Sequence, residues 1–369
     1  MESSRRSTMA QHTKTTSDRK RVTLSDVAQA TGLAKSTVSM VLNGSWKKVG
    51  IKPERVEQIR KIAEELGYRT NYAAHCMVTG KYSTIAMVCG KRHFTSSVSP
   101  ALVGGICLAL GEHNYHMSIE FCDDDKLTDP SYLPSFLETH HCDGILLNYH
   151  AGVPLRLIEL IQKSRLPAVW LNYKMDHNCV HPNDYQAGFD LTRYLLELGH
   201  RHILYVDHSF YAAARRGTRH YSKEDRMDGY RDCMLSAGLQ PHLFTDTANE
   251  EDFDSLFQRL RSLLRQPVAE RPTAIMTYAQ ELLAYIRLLA AEEGLAVPRQ
   301  LSLATFGGHR DALVLFHGFT VSRVPTRKMG AIGAEMVLEL IANPTTLLPP
   351  RTVDFEIFPR QSTAEPPTE

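Results

Sequence analysis

Apolar and polar positions follow two different rhythms along this chain. Between residues 22 and 66 the apolar residues recur every three or four positions. Leu24, Val27 and Ala28 form one face of a short helix, Val38, Val41 and Leu42 the inner face of a second, and Val56, Ile59, Ala63 and Leu66 that of a third. Thr23 followed by Asp26 predicts a capping box at the first helix, and Gly32 a sharp left-handed turn after it. Pro53 suits the first turn of the third helix and Gly67 its end. From Ser83 onward the rhythm changes. The runs TIAMVC, MSIEFC, GILLNY, AVWLNY, HILYVD, TAIMTY and LSLATF predict strands. Amphipathic stretches at 101–113, 155–164, 186–198, 252–265 and 281–293 predict helices between them. Such alternation implies an α/β fold of parallel sheets covered by helices, with ligands collecting at the carboxyl ends of the strands.

Composition sharpens this picture. A chain of 369 residues is too long for one ordinary core and suggests two or three packed units. Hydrophobic content of 43% with 22% charged residues belongs to a soluble globular protein. No apolar run approaches the ~20 residues of a membrane span, and the polar N-terminus lacks a signal-peptide core. Residues 1–20 are rich in Ser, Thr, Lys and Arg and are expected to be a disordered tail. Seven scattered cysteines at 76, 89, 107, 122, 142, 179 and 233 fit reduced cytoplasmic usage rather than a disulfide framework. The net charge of +1 hides an asymmetry: residues 1–81 carry 15 Lys+Arg against 7 Asp+Glu, the remainder 27 against 34. A basic helical module on an acidic body fits a polyanion-binding head on a soluble sensor.

The second short helix turns Lys35, Ser36, Thr37, Ser39, Met40 and Asn43 largely outward. Two short helices joined by a glycine turn, the second with an outward polar stripe, are what a helix-turn-helix requires. The same pattern also suits a small helical hairpin with a solvated face. Enzymatic signals are missing: there is no G-x-x-x-x-G-K-[ST], no G-x-G-x-x-G after the first strand and no G-x-S-x-G elbow, so no cofactor is implied. His113, His116, Cys122, His140, His141 and Cys142 have no zinc-like spacing, and structural roles are the better reading.

The run T-L-x-D-V-A-x-x-x-G-x-x-x-x-T-V-S-x-V-L-N, matched from Thr23 to Asn43, resembles the headpiece signature of the LacI/GalR family of transcription regulators. LLELGHRHILYV at 195–206 and DRMDGY at 225–230 resemble junctions of periplasmic-binding-protein-like regulators, and the likeness runs over roughly residues 21–360. It implies a small all-α helix-turn-helix headpiece (21–69), a hinge helix or linker (70–82), a two-lobed effector and dimerisation core with parallel sheets (83–360), and a flexible tail (361–369). The implied function is sequence-specific transcriptional regulation, repression being the family default. The implied partners are a palindromic double-stranded DNA operator, a second copy of the chain and a small-molecule effector, sugar-like or atypical, with no enzyme activity. The place would be the cytoplasm of a bacterium, at the nucleoid. Two other classes stand beside this one: a soluble small-molecule binder whose headpiece reads DNA poorly, and an enzyme on the same scaffold, for which no catalytic constellation is found.

The resemblance assigns base reading to Lys35, Ser36 and Met40, with Thr37 and Ser39 beside them, and phosphate contacts to Thr23, Asn43, Lys47 and Lys48. Lys47 and Lys48 lie in GSWKKVGI, a loop longer than the family's usual connection. Many relatives carry arginine where Met40 stands. Methionine cannot pair with guanine and offers only an apolar surface, suited to a thymine methyl. Ala34 replaces the usual serine cap, so a non-standard operator is expected. In the linker, Tyr68, Asn71 and Ala74 match the pattern Y-x-P-N-x-x-A-x-x-L, while Thr70 replaces proline and Met77 replaces the leucine wedge. Met77 is expected to combine minor-groove wedging with a helix–helix contact between subunits.

In the core, Arg226 matches the arginine that relatives use to grip effectors, although an ion pair with Asp225 or Asp228 would also account for it. Asn148 and Asn172 end two strands and are expected to face the cleft. Tyr278, Ala279 and Gln280 stand in place of A-N-D, and Thr305, Phe306, Gly307 and Gly308 in place of G-Y-D-D. Pro182 occupies the position of an aspartate, with Asn183 kept. The effector candidates are therefore Asn148, Asn172, Arg226, Gln280 and Phe306. Losing carboxylates argues against a typical neutral sugar. Either the effector is anionic or more apolar, or the pocket is degenerate. The strand VSRVP and the helix 327–342 with Met329-Gly330 resemble the family's return crossing, a strand around Val353 to Phe358 is expected to close the sheet, and the end from about 361 is expected to fray.

Overall fold

A computed structural model describes residues 22–44, 46–47, 50–69, 76, 80–91, 96, 98–139, 141–149, 152–207, 220–245, 253–307 and 318–368. They fall into two compact units, one ending at Lys81 and one beginning at Tyr82. The expected disordered tail, and Lys48, Asn71, Ala74 and Met77, lie outside the described residues.

The first unit holds α1 (Leu24–Thr31), α2 (Lys35–Leu42) and α3 (Pro53–Glu65). At the head of α1 the Thr23 amide donates to the Asp26 carboxylate at 2.7 Å and the Asp26 amide to Thr23 Oγ1 at 3.4 Å, closing the box. Gly32 caps α1 in the left-handed region at φ 66°, a conformation that costs glycine little. Val27, Val38, Val41, Val56 and Ile59 are buried in one small cluster shared by all three helices. Leu66 is not among them: α3 stops at Glu65, and Leu66 is 40% exposed.

The second unit contains two sheets of six strands. The first comprises β1 (Thr84–Gly90), β2 (His116–Cys122), β3 (Gly144–Asn148), β4 (Ala168–Leu171), β5 (Cys179–Pro182) and β11 (Arg351–Val353), in the order β11-β5-β4-β3-β1-β2. The second comprises β6 (Ile203–Asp207), β7 (His242–Thr245), β8 (Ala274–Thr277), β9 (Ser302–Gly307), β10 (Thr320–Arg323) and β12 (Glu356–Phe358), in the order β12-β10-β9-β8-β6-β7. Every pairing is parallel except β10 with β12. Each sheet is one lobe, and the strand order reverses beside β1 in the first and beside β6 in the second. Ligands gather at such switch points.

The helices are α4 (Pro100–Glu112), the single turn α5 (Ser135–Glu138), α6 (Leu155–Ser164), α7 (Asp184–Glu197), α8 (Ser222–Ser236), α9 (Phe253–Leu264), α10 (Gln280–Glu292) and α11 (Thr326–Ala342). Strand order fixes the path: the chain crosses between lobes after β5, after β10 and after β11. Two helix pairs approach unusually closely, each through glycine. A Cβ on Gly105 of α4 would sit 2.0 Å from the Arg327 carbonyl oxygen of α11, and one on Gly330 would sit 2.6 Å from that of Leu102. In the other lobe, a Cβ on Gly188 of α7 would meet the Arg226 carbonyl oxygen at 2.2 Å, and one on Gly229 of α8 that of Tyr185 at 2.1 Å. Only glycine permits this approach.

Two expectations are corrected, and two strands were not anticipated. The strand expected from Val353 to Phe358 is two strands, β11 and β12, in different sheets, because the chain changes lobe at Asp354–Phe355. The short strands β5 and β7 carry too little pattern to be read beforehand. The end of the chain is not frayed over 361–368: Leu303 donates to the Ser362 carbonyl at 2.7 Å, Ala364 donates to Ser302 Oγ at 3.0 Å, and Ser362 is buried. Backbone pairing outweighs its polar composition.

Candidate functional site

Two faces carry chemistry, one in each unit. On α2 the inward residues Val38 and Val41 fix the helix by burial, which leaves the opposite face outward. Lys35 and Ser36 are exposed at its start, and Thr37, Ser39, Met40 and Asn43 are half-buried along it. Asn43 Nδ2 donates to Ser39 Oγ at 3.1 Å, so these two polar groups are held in register one turn apart. Ala34 stands at the cap with no side-chain bond, leaving the first amides of α2 without an internal acceptor. Thr23 is exposed, but its hydroxyl also donates to Asp26 at 2.8 Å and so serves the cap of α1. Lys47 is exposed, with Nζ 5.8 Å from the Trp46 ring centroid.

In the second unit the glycine-mediated contact of α7 with α8 places Asp184, the first residue of α7, beside Arg226. Arg226 Nε donates to Asp184 Oδ1 at 2.7 Å, and both residues are buried. The partner is therefore Asp184 rather than Asp225 or Asp228. This also corrects the carboxylate count: Pro182 is no carboxylate, but Asp184, two residues on, supplies one. Burial pushes the Asp184 carboxyl up while the guanidinium pulls it down. Burial, the largest single influence, pushes Arg226 down, but the charge and hydrogen bond of Asp184 together with the Tyr278 and Tyr205 hydroxyls hold it above its ordinary value. Three rings surround the guanidinium: Phe306 at 4.8 Å, Tyr278 at 4.9 Å and Phe355 at 5.4 Å from Cζ. Arg226 Nη1 reaches the Tyr278 carbonyl at 3.4 Å, which leaves part of its donor fork uncommitted among the described residues.

The other effector candidates divide around this centre. Phe306 and Gly307 end β9, and Gln280, opening α10, lays its Oε1 against Gly307, 2.9 Å from where a Cβ would stand. Asn172 follows β4 with φ 56° and meets the start of α8. Asn148 ends β3 fully buried, with Nδ2 3.7 Å from Cys89 Sγ on β1. Asp184, Tyr278 and Phe355 were missed. Asp184 and Arg226 lie 42 residues apart, and only the paired glycines at 188 and 229 hinted that their helices meet. Among the described residues no group of three or more His, Cys, Asp or Glu is arranged to hold a metal ion. No helix among the described residues is long and apolar enough to cross a membrane.

Residues 23–71 match the model of bacterial regulatory proteins of the lacI family, and residues 192–363 that of a periplasmic binding protein-like domain. Together these cover more than half of the chain. The chain belongs to the lacI family. Its lacI-family relatives include the HTH-type transcriptional regulator CelR of Thermobifida fusca, 27% identical over 89% of this chain and 94% of that protein. Another is the regulator IdnR of Escherichia coli, 27% identical over 88% and 93%. The fold matches the Lac repressor dimer bound to operator and the anti-inducer ONPF, with a TM-score of 0.69 at 18% identity over 94% of this chain and all of that one. A CelR–cellobiose complex gives 0.58 at 22% identity, over 93% of this chain and all of that one. This lacI-family protein is thus a DNA-binding transcriptional regulator with a helix-turn-helix headpiece and a periplasmic-binding-protein-like core.

Proposed function

We propose that this regulator is a homodimeric repressor whose headpieces read a palindromic operator and whose core responds to a small molecule held at Arg226. The observation that carries the reading is the division of labour on α2: a buried apolar face sets the helix, and Lys35, Ser36 and Met40 occupy the outward one. Lys35 and Ser36 reach base edges in the major groove, Met40 packs on an apolar base edge, and Thr37 and Ser39 lie beside them. The uncapped amides of α2 donate to a phosphate, with Asn43 and the Lys47–Lys48 loop fixing register. Met77, with Asn71 and Ala74, enters the minor groove. Such a protein works in the cytoplasm, on the nucleoid.

The second copy is supported by apolar side chains on the rims of both lobes. Ile119 and Phe121 share one face of the edge strand β2, Phe121 being 63% exposed, and Leu108 is exposed on α4. In the other lobe Leu243 lies on the edge strand β7, and Tyr285 with Leu288 on α10. Patches of this kind are ordinary for interfaces and costly on monomers. The CelR–cellobiose complex supports a carbohydrate-like effector, and the Arg226–Asp184 pair under three rings suits a molecule with hydroxyl or carboxylate groups and one apolar face.

Selection of bound duplexes from a random pool tests the DNA reading. Enriched sites should be palindromic and should differ from guanine-reading relatives at the positions facing Met40. No enrichment, with binding that is merely salt-dependent, would favour a headpiece that no longer reads sequence. Lys35→Ala should weaken selected sites more than random DNA; equal loss on both would contradict base reading. For the core, a thermal-shift screen of sugars, sugar acids, sugar phosphates and purines should give a hit that Arg226→Ala abolishes.

A further inference from the structure

Where the lobes meet near Arg226, four hydrogen-bonding groups form an unbroken chain. His220 Nε2 lies 3.0 Å from the Asn172 carbonyl oxygen, which belongs to the first lobe, immediately after β4. His220 Nδ1 lies 2.7 Å from Ser222 Oγ and 3.3 Å from the Ser222 amide. Ser222 Oγ in turn lies 2.8 Å from the Tyr278 hydroxyl. A carbonyl only accepts, so Nε2 carries the proton; the Ser222 amide only donates, so Nδ1 accepts. Ser222 then donates its hydroxyl proton to Nδ1 and accepts from Tyr278. The direction of every bond is fixed: Tyr278 to Ser222 to His220 to Asn172. At the far end, the Tyr278 ring lies 4.9 Å from the Arg226 guanidinium and its carbonyl accepts from Arg226.

We propose that this chain is the relay through which occupancy of the Arg226 site sets the angle between the lobes, with Tyr278 as its sensor and His220 as the positioning residue that grips the opposite lobe. The inference rests on the effector reading above. It identifies the part of the protein that turns ligand contact into a lobe movement. A ligand that reaches the guanidinium competes with the Tyr278 ring and carbonyl. Moving Tyr278 withdraws the donor that orients Ser222, and Ser222 then no longer holds His220 in the Nε2–H form aimed at Asn172. Both ends are buried or half-buried, so water replaces these bonds poorly. Further ties cross the same seam without touching Tyr278. Lys174 pairs with Asp225 at 2.5 Å and lies 4.7 Å from the Tyr221 ring, and the Tyr221 hydroxyl donates to Asn172 Oδ1 at 3.2 Å. They hold the seam from the Asp184 side of the Arg226 site, since the Tyr221 hydroxyl and the Lys174 and Asp225 charges act on Asp184, and they bypass the Tyr278 hydroxyl.

Tyr278→Phe decides the matter, because among the described residues no hydrogen bond joins Tyr278 to the first lobe, and the substitution keeps its ring. With exposed Cys107 replaced by Ser, nitroxides at Leu155→Cys on α6 and Leu235→Cys on α8 report the distance between lobes. Full-length labelled chain is diluted with unlabelled chain, without DNA or effector. The measurement is made with Lys174 present and with Lys174→Ala, so that the neighbouring ion pair cannot mask an effect. Tyr278→Phe, Ser222→Ala and His220→Ala should each lengthen and broaden the distance distribution. Ser222→Thr should restore it, and Tyr278→Phe added to His220→Ala should change nothing further. If His220→Ala shifts the distance and Tyr278→Phe does not, His220 is a simple clamp and the relay is overturned. If none shifts it in the Lys174→Ala background, the seam does not set the angle and the proposal is equally lost. Neither result bears on whether Arg226 holds an effector, which the thermal-shift screen decides alone.

Discussion

The two lobes share a strand order but not a core. In the first, α4 and α11 cross at Gly105 and Gly330 over Leu102, Ile106, Met329 and Val337, all apolar. In the second, α7 and α8 cross as tightly at Gly188 and Gly229, yet the same crossing encloses the Asp184–Arg226 ion pair. The contrast extends further. Among the described residues of the second unit, the buried charged or imidazole side chains are Asp184, His200, Asp207, Arg226 and Arg271, and all lie in the second lobe. Buried charge is a poor way to gain stability, because desolvation offsets most of the attraction. One lobe is built to be packed, and the other carries groups whose value lies in what they can contact.

That difference can be broken from either side. The largest effect is expected from Arg226→Ala, which strands the Asp184 carboxylate inside the second lobe. Denaturant unfolding should show a loss of about 3–5 kcal/mol, whereas Arg226→Met with Asp184→Leu should recover most of it while ligand response stays absent. An intermediate effect is expected from forcing apart either helix pair. Gly105→Ala and Gly188→Ala each place a methyl against backbone and should cost about 1–3 kcal/mol or somewhat more. Only Gly188→Ala should also alter ligand-induced stabilisation; equal behaviour of the two variants in a ligand titration would erase the proposed division between lobes.

The smallest effect concerns pH. His200 is buried, Nδ1 2.9 Å from Thr273 Oγ1 and Nε2 2.9 Å from the Ala364 carbonyl, and burial holds its pKa below the ordinary value. The unfolded chain therefore binds the proton more readily. Its contribution is complete above about pH 6.5 and is lost as pH falls through that value toward the folded pKa. The melting temperature should fall on acidification from pH 7 to about 5. His200→Gln should start lower by about 1–3 kcal/mol and lose this part of the slope.

These features differed in how openly the sequence displayed them. Strands such as β1 and β3 are continuous apolar runs because both faces are covered, so they announce themselves. β5, read as CVHP, and β11, read as RTV, are short and mixed, and exist because a neighbour supplies the ladder. The Asp184–Arg226 pair was half legible: Arg226 stood out in DRMDGY, but its partner is joined to it only by helix packing. The closing segment was misjudged for a related reason. Its composition is that of a solvated end, while Ser302, Thr320 and His200, distant in sequence, provide the partners that hold it. Local pattern reports what a segment prefers alone, and these elements are decided by what they meet.

Three strands of backbone pass between the lobes, after β5, β10 and β11. A single connector would leave a swivel; three together leave a door, able to swing about one line and little else. Whatever molecule enters, the protein can report it only as an angle. The side chains around Arg226 can therefore be exchanged while the output keeps its form.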